Sequence, residues 1–237
     1  MRAKTYSTAL QCDCCGTCCR KGGPTLQAED IPLVAAEVLP LSALVTLRAG
    51  ELAWDEAAGS LRPQPREAVK VAGTGEAAFP WNCVFHRADG LCGIHDQRPA
   101  QCRALLCKDT SALERLYAQG QATRAEVLAG LPPRTGWAAL AEAHEDLCSV
   151  AACVALALQA QRENTPEARQ SAAQALGGML RQDAAFRALC VEKGGVPEAA
   201  LLFLLGRPLP LLLEGTGLAA EACGDGWRIF PAGRCVY

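Results

Sequence analysis

Nine cysteines packed into two short stretches constrain this chain more than any other feature. Five stand between Cys12 and Cys19 and four between Cys83 and Cys107, while Cys148, Cys153, Cys190, Cys223 and Cys235 are scattered. Fourteen cysteines in 237 residues demand a reason, because exposed thiols are oxidation liabilities. The opening ten residues hold no apolar run of signal-peptide length before Cys12. The most apolar stretch, Leu201 to Leu213, is interrupted by Gly206, Arg207, Pro208 and Pro210, so no membrane-spanning segment is expected. The expectation is a cytoplasmic protein with reduced thiols, where clustered cysteines bind metal or do chemistry rather than form bridges. The change in cysteine density divides the chain near residue 110, into a cysteine-cluster region over 1–110 and an Ala/Leu-rich helical region over 111–237.

Half of the residues are hydrophobic and only 5% aromatic, with Ala and Leu predominating. That bias favours closely packed helices over a sandwich or barrel. A formal charge of −2 without a basic stripe gives no electrostatic case for nucleic acid or an acidic membrane surface. The fold class expected is mainly α with a small irregular β part, the N-terminal region being stapled by metal.

Local signals fill in this outline. Thr25 is a candidate N-cap for a helix carrying Ile31, Val34, Ala35 and Val38, stopped by Pro40. Leu44–Arg48 and Glu51–Asp55 read as strands around the turn at Ala49-Gly50, with Ala68–Val71 a third. Ala57-Ala58-Gly59-Ser60 reads as another turn, and Pro63 and Pro65 keep the chain between them irregular. Ser111 and Thr123 are candidate caps for helices ending near Gln119 and Gly130. Trp137 to Gln161 is the longest helical candidate, and Thr165-Pro166 opens another. Asp183 reads as the cap of a helix to Val191, and Pro197 as the start of one ending near Gly206. The tail around Gly224, Gly226 and Trp227 reads as a turn and short strand.

The first cluster, Cys12-Asp-Cys14-Cys15-Gly16-Thr-Cys18-Cys19, contains Cys12-x-x-Cys15-Gly16. Two thiolates so spaced point at one ion, and the glycine lets the backbone turn beneath the sulfurs. Cys12, Cys15 and Cys18 also have the spacing of three iron–sulfur ligands, without the usual fourth cysteine spacing and following proline. Adjacent cysteines such as Cys18 and Cys19 leave the backbone in different directions, which hints at two sites or at one ligand beside one packed thiol. In the second cluster Asp89-Gly90 is a tight-turn signal, so Val84-Phe85 and Leu91–Ile94 are expected to pair and bring Cys83 near Cys92. Pro99 suits the first turn of a short helix carrying Cys102 and ending near Cys107.

The run Cys12-x-x-Cys15-Gly16-x-Cys18-Cys19, Cys83-x-Phe85, Gly90-x-Cys92-x-Ile94 and Arg98-Pro99-x-x-Cys102-Arg103 resembles the YkgJ-type cysteine-cluster family, described as a zinc- or iron-chelating domain. The resemblance covers about residues 10 to 110. It implies Cys12, Cys15, Cys18, Cys19, Cys83, Cys92 and Cys102 as metal ligands, with Cys107 added as a further one. Cys14 is an addition to the pattern, and His95 stands where the family often has Tyr.

His86 and His95 each follow a cysteine at the x-x spacing, so either can reach a metal through nitrogen or pack as a ring with one hydrogen bond. His144 falls on the apolar stripe of the long helix and reads as a core or rim residue, as Cys148 and Cys153 read as core. Arg20, Lys21, Arg98, Arg103 and Lys108 flank the thiols, where cations offset thiolate charge. The function expected is chelation of zinc or iron by clustered thiolates. The alternative is an iron–sulfur enzyme, since flagellin lysine methylases resemble the family at the cluster. No Gly-rich nucleotide loop, Ser/His/Asp set or acid–base carboxylate pair accompanies it, so a non-enzyme is favoured. A thiol oxidoreductase using Cys18-Cys19 comes last, because adjacent cysteines form strained disulfides.

Overall fold

The inner strands β1 (Leu44–Leu47) and β4 (Ala68–Val71) pair antiparallel, with Leu44 opposite Val71 and Leu47 opposite Ala68. Both are apolar and mostly buried. The free edge of β4 is taken by residues 24–26, where Leu26 N–H donates to Val69 O (2.8 Å) and Val71 N–H to Pro24 O (2.9 Å). This is a computed structural model, describing residues 15–232 except 56–58, 77, 108, 164 and 225. Cys12, Cys14 and Cys235 therefore lie outside the described residues, as does Lys108.

Strands β2 (Leu52–Asp55) and β3 (Ser60–Pro63) form a separate hairpin. This corrects the expected pairing around Ala49-Gly50: β1 turns away from β2 and finds β4 instead. The two-residue turn is replaced by a wider corner, in which Arg48 N–H donates to Glu51 Oε1 (3.0 Å) and Gly50 N–H to Gln64 O (2.9 Å). Pro63 closes a strand, at an end where a missing N–H is tolerated.

Ahead of β1, a 3-10 turn over Ala28–Asp30 leads into α2 (Ile31–Ala35). The cap is Gln27 rather than Thr25, in a capping box with Asp30. Short helices α1 (Thr17–Lys21) and α3 (Ala100–Ala104) carry cysteines, and α4 (Ser111–Gln119) and α5 (Arg124–Ala129) follow. Thr123 caps α5 by a full capping box with Glu126.

The expected long helix is two, α6 (Trp137–Leu147) and α7 (Val150–Arg162). The break has a clear cause: Ser149 caps α7 by accepting from Ala152 N–H, while the Cys148 carbonyl is taken by Arg48 Nη1 at 3.1 Å. Conversely α8 (Pro166–Glu192) runs unbroken through Asp183, which is not a cap. Its buried stripe of Leu176, Leu180, Asp183, Arg187 and Cys190 keeps helical spacing. The chain ends in α9 (Leu201–Leu205), α10 (Leu209–Leu212) and a hairpin of β5 (Leu218–Cys223) with β6 (Gly226–Pro231).

The architecture is thus mainly helical with short antiparallel strand pairs. One core joins Leu26, Leu44, Val69 and Val71 to Trp137, Phe203, Leu204 and Leu205. A second lies between α7, α8 and α10, around Val154, Leu176, Leu180, Leu209 and Leu213. Among the described residues no single helix is long and apolar enough to cross a membrane.

Candidate metal centre

The cysteine segments are brought together by backbone devices that the sequence encodes locally. Gly16 precedes α1 with φ +71°, a left-handed conformation that costs other residues about 1–2 kcal/mol. Gly23 lets the strand after α1 lie against β4, since a side chain there would meet Val71 O at 2.6 Å. Cys83 N–H donates to Cys19 O at 2.8 Å, which joins the two segments directly.

The turn at Asp89-Gly90 forms, though the ladder is only an isolated bridge between His86 and Cys92. Arg87 N–H donates to Leu91 O (2.9 Å) and Gly93 N–H to Phe85 O (2.8 Å) on either side of it. Helix α3 is pinned from afar: the buried Asp30 carboxylate accepts Ala100 N–H (2.8 Å), and Gln101 Oε1 accepts Thr25 N–H (2.9 Å). The helix closes at Ala104, short of the expected end near Cys107, because Leu105 turns extended.

A cavity of about 160 Å³ results, walled by Cys15, Cys18, Cys19, Cys83, Cys92, Cys102 and Cys107. Of the eight cysteines expected as ligands, the seven that fall within the described residues all line it. His86, His95 and Arg98 line it too. Burial falls from Cys83 through half-buried Cys18, Cys19, Cys92 and Cys102 to exposed Cys15 and Cys107.

Crowded thiols in such a wall oppose one another's ionisation. Burial pushes the Cys102 thiol up to about 12, with Cys83, Cys92 and Cys18 adding to the effect and Arg98 opposing it. Burial also raises Cys83. Cys18 is drawn down to about 6 by a hydrogen bond from the Cys19 thiol, which is itself raised. Bringing several of these sulfurs to the thiolate form therefore calls for a cation among them, and soft thiolates suit zinc and iron.

Lys70, on β4, is a cation near the thiols that sequence reading passed over. Its Nζ donates to Gly23 O, and its charge is felt at Cys83 and Cys102. A lone lysine in the apolar strand Ala68–Val71 was the available signal. Asn82 and Gln101 were also missed. Arg103 turns away instead, bonding Glu29 Oε1 at 3.0 Å on the surface.

Among the described residues, the one group of three donor atoms within 4.8 Å of one another lies elsewhere: His144, Cys148 and Asp183. Its geometry is that of a structural network. His144 Nε2–H donates to Asp183 Oδ1 (2.7 Å), and its Nδ1 lies 3.3 Å from Arg48 Nη1, so both ring nitrogens are engaged. Asp183 also accepts from Arg187 Nε (3.0 Å) and Leu209 N–H (3.0 Å). Two buried guanidinium groups already neutralise this site, and a divalent cation would displace them at high cost. His144, expected in the core or at its rim, is fully buried, as are Cys148 and Cys153.

Residues 11–119 match the family model CxxCxxCC, a putative zinc- or iron-chelating domain. Over these residues the chain is similar to the CxxCxxCC family. The matched span holds every wall residue of the cavity and reaches past the cysteines to the end of α4, whose Leu113 and Tyr117 border the same space. No curated protein and no solved structure matches the chain. The likeness to a putative zinc- or iron-chelating domain thus covers the segment that walls the cavity, and the helices after residue 119 lie outside it.

Proposed function

We propose that the chain chelates zinc or iron in this cavity through the thiolates of Cys12, Cys15, Cys18, Cys19, Cys83, Cys92, Cys102 and Cys107. The observation that carries the reading is the lining of one space by seven described thiols from both cysteine stretches. Each sulfur gives up its proton on binding, so affinity rises with pH until the thiols are ionised. Lys70 and Arg98 offset the accumulated thiolate charge. Binding of this kind supplies on the order of 10 kcal/mol to folding, consistent with Cys18, Cys19 and Cys102 standing on five-residue helices and Cys83 and Cys92 in isolated bridges.

The spacing of the thiols favours a second reading, an iron–sulfur cluster. Four sulfurs on one zinc ion sit about 3.8 Å apart, from a Zn–S bond of about 2.3 Å. Among the described residues no three donor atoms of this cavity are drawn that close together. A volume of about 160 Å³ also exceeds one ion, when a water takes about 30 Å³. Such a cluster would supply electron transfer or radical chemistry, the basis for a modifying enzyme.

Anaerobic purification with elemental and inorganic-sulfide analysis tests both. Stoichiometric zinc or iron lost in Cys83→Ser and Cys102→Ser supports chelation, and matching iron and sulfide selects the cluster. Protein that takes up neither metal after anaerobic reconstitution overturns the proposal.

A further inference from the structure

Thiols are not the only donors aimed into the cavity. His86 sits opposite Cys92 in the isolated bridge, flanked by the hydrogen-bonded pairs Phe85–Gly93 and Arg87–Leu91. That makes His86–Cys92 the non-hydrogen-bonded pair, whose side chains share one face and approach most closely. The imidazole is then held from behind. Its Nδ1 lies 2.7 Å from Asn82 Oδ1, an acceptor, so Nδ1 carries the proton and Nε2 presents a bare lone pair.

That Nε2 is buried and has no hydrogen-bond partner. A buried acceptor left unpaired is unfavourable, and each such atom in a folded protein calls for an explanation. Its direction supplies one. A Cβ added to Gly16 would stand 2.7 Å from Nε2, so the nitrogen faces the first cysteine segment. An imidazole with one nitrogen fixed by an outer hydrogen bond and the other bare is the arrangement of a metal-bound histidine. His95 differs: its side chain is 42% exposed, and its Nδ1 lies 3.5 Å from Asp96 Oδ1.

We infer that His86 Nε2 is a nitrogen ligand of the metal held by the thiolate wall, with Asn82 as its positioning residue. The inference rests on the chelation reading and adds a donor that the cysteine pattern does not contain. Gly16 then has a second purpose, since any side chain there would occupy the approach to Nε2.

The test uses the full chain reconstituted anaerobically with Zn²⁺ alone and examined by X-ray absorption at the zinc edge. The expected first shell contains sulfur at about 2.3 Å and nitrogen at about 2.0–2.1 Å. His86→Ala should lose the nitrogen shell, keep the sulfur shell and weaken zinc binding by roughly tenfold or more. His86→Cys should give sulfur alone with affinity restored. A sulfur-only shell in the unaltered protein overturns the assignment without touching chelation, and it needs no variant to fold. A nitrogen shell that persists in His86→Ala places the donor elsewhere and overturns it equally. Failure of the unaltered protein to bind zinc defeats both this inference and the chelation by zinc on which it rests, a result distinct from either of the others.

Discussion

Replacing Asp183 with Ala probes the helical half at its most committed point. The carboxylate is 1% exposed and accepts from His144 Nε2, Arg187 Nε and Leu209 N–H. Its removal leaves Arg187 without a counter-ion and the Leu209 N–H without an acceptor. Breaking a buried ion pair by deleting one partner costs about 3–5 kcal/mol. That figure already includes the lost hydrogen bonds, so nothing is added for them. Set against a total stability of about 5–15 kcal/mol, the variant should be severely weakened. With a slope of about 2 kcal/mol per molar urea, the midpoint should fall by about 1.5–2.5 M. Asp183→Asn, which keeps an acceptor and the volume, should fall by roughly half as much. Tryptophan fluorescence in urea reads the midpoint, and zinc content measured on the same samples should not change. A midpoint within about 0.3 M of the parent would refute the view that this network is structural.

Three further outcomes follow from the same physics. Burial, aided by the charges of Arg48 and Arg187, holds the His144 pKa below its usual value against the pull of Asp183. The unfolded chain then binds the proton more readily, so the contribution of His144 is full above about pH 6.5 and is lost as pH falls below it. Urea midpoints across this range should show that loss, and His144→Gln should remove it. Gly16→Ala forces a side chain into φ +71° and against His86 Nε2; a stability loss of about 1–2 kcal/mol with weakened zinc binding is expected by denaturation and competition with a chelator. Thr123→Ala deletes the capping box of α5 and should cost about 1 kcal/mol with zinc binding unaltered.

Signals that act within a few residues were the most legible. Thr123 and Thr165 both cap helices where expected, although the Glu126 partner of Thr123 was not foreseen. The Asp89-Gly90 turn and the helix after Pro99 also form, because each depends on local backbone preference. Strand pairing was harder: β1 chooses β4 over β2 for reasons of burial on both partners, which no short window contains. Asp183 misled because an aspartate normally favours helix starts, yet here its charge is satisfied from α6 and from within α8. The convergence of cysteines was legible as pattern, and Lys70 and Asn82 were not, since their roles depend on which loop lies above them.

Strand β4 is paired along both edges, to β1 on one side and to residues 24–26 beside α1 on the other. Its Val69 and Val71 share a core with Phe203 and Leu204, while Lys70 between them reaches towards the thiols. A substitution at Phe203, some 130 residues away in sequence, would thus be felt at the cavity wall. Packing changes at this one core should therefore shift heat tolerance and zinc affinity together, unlike changes at Asp183, which lies apart from β4.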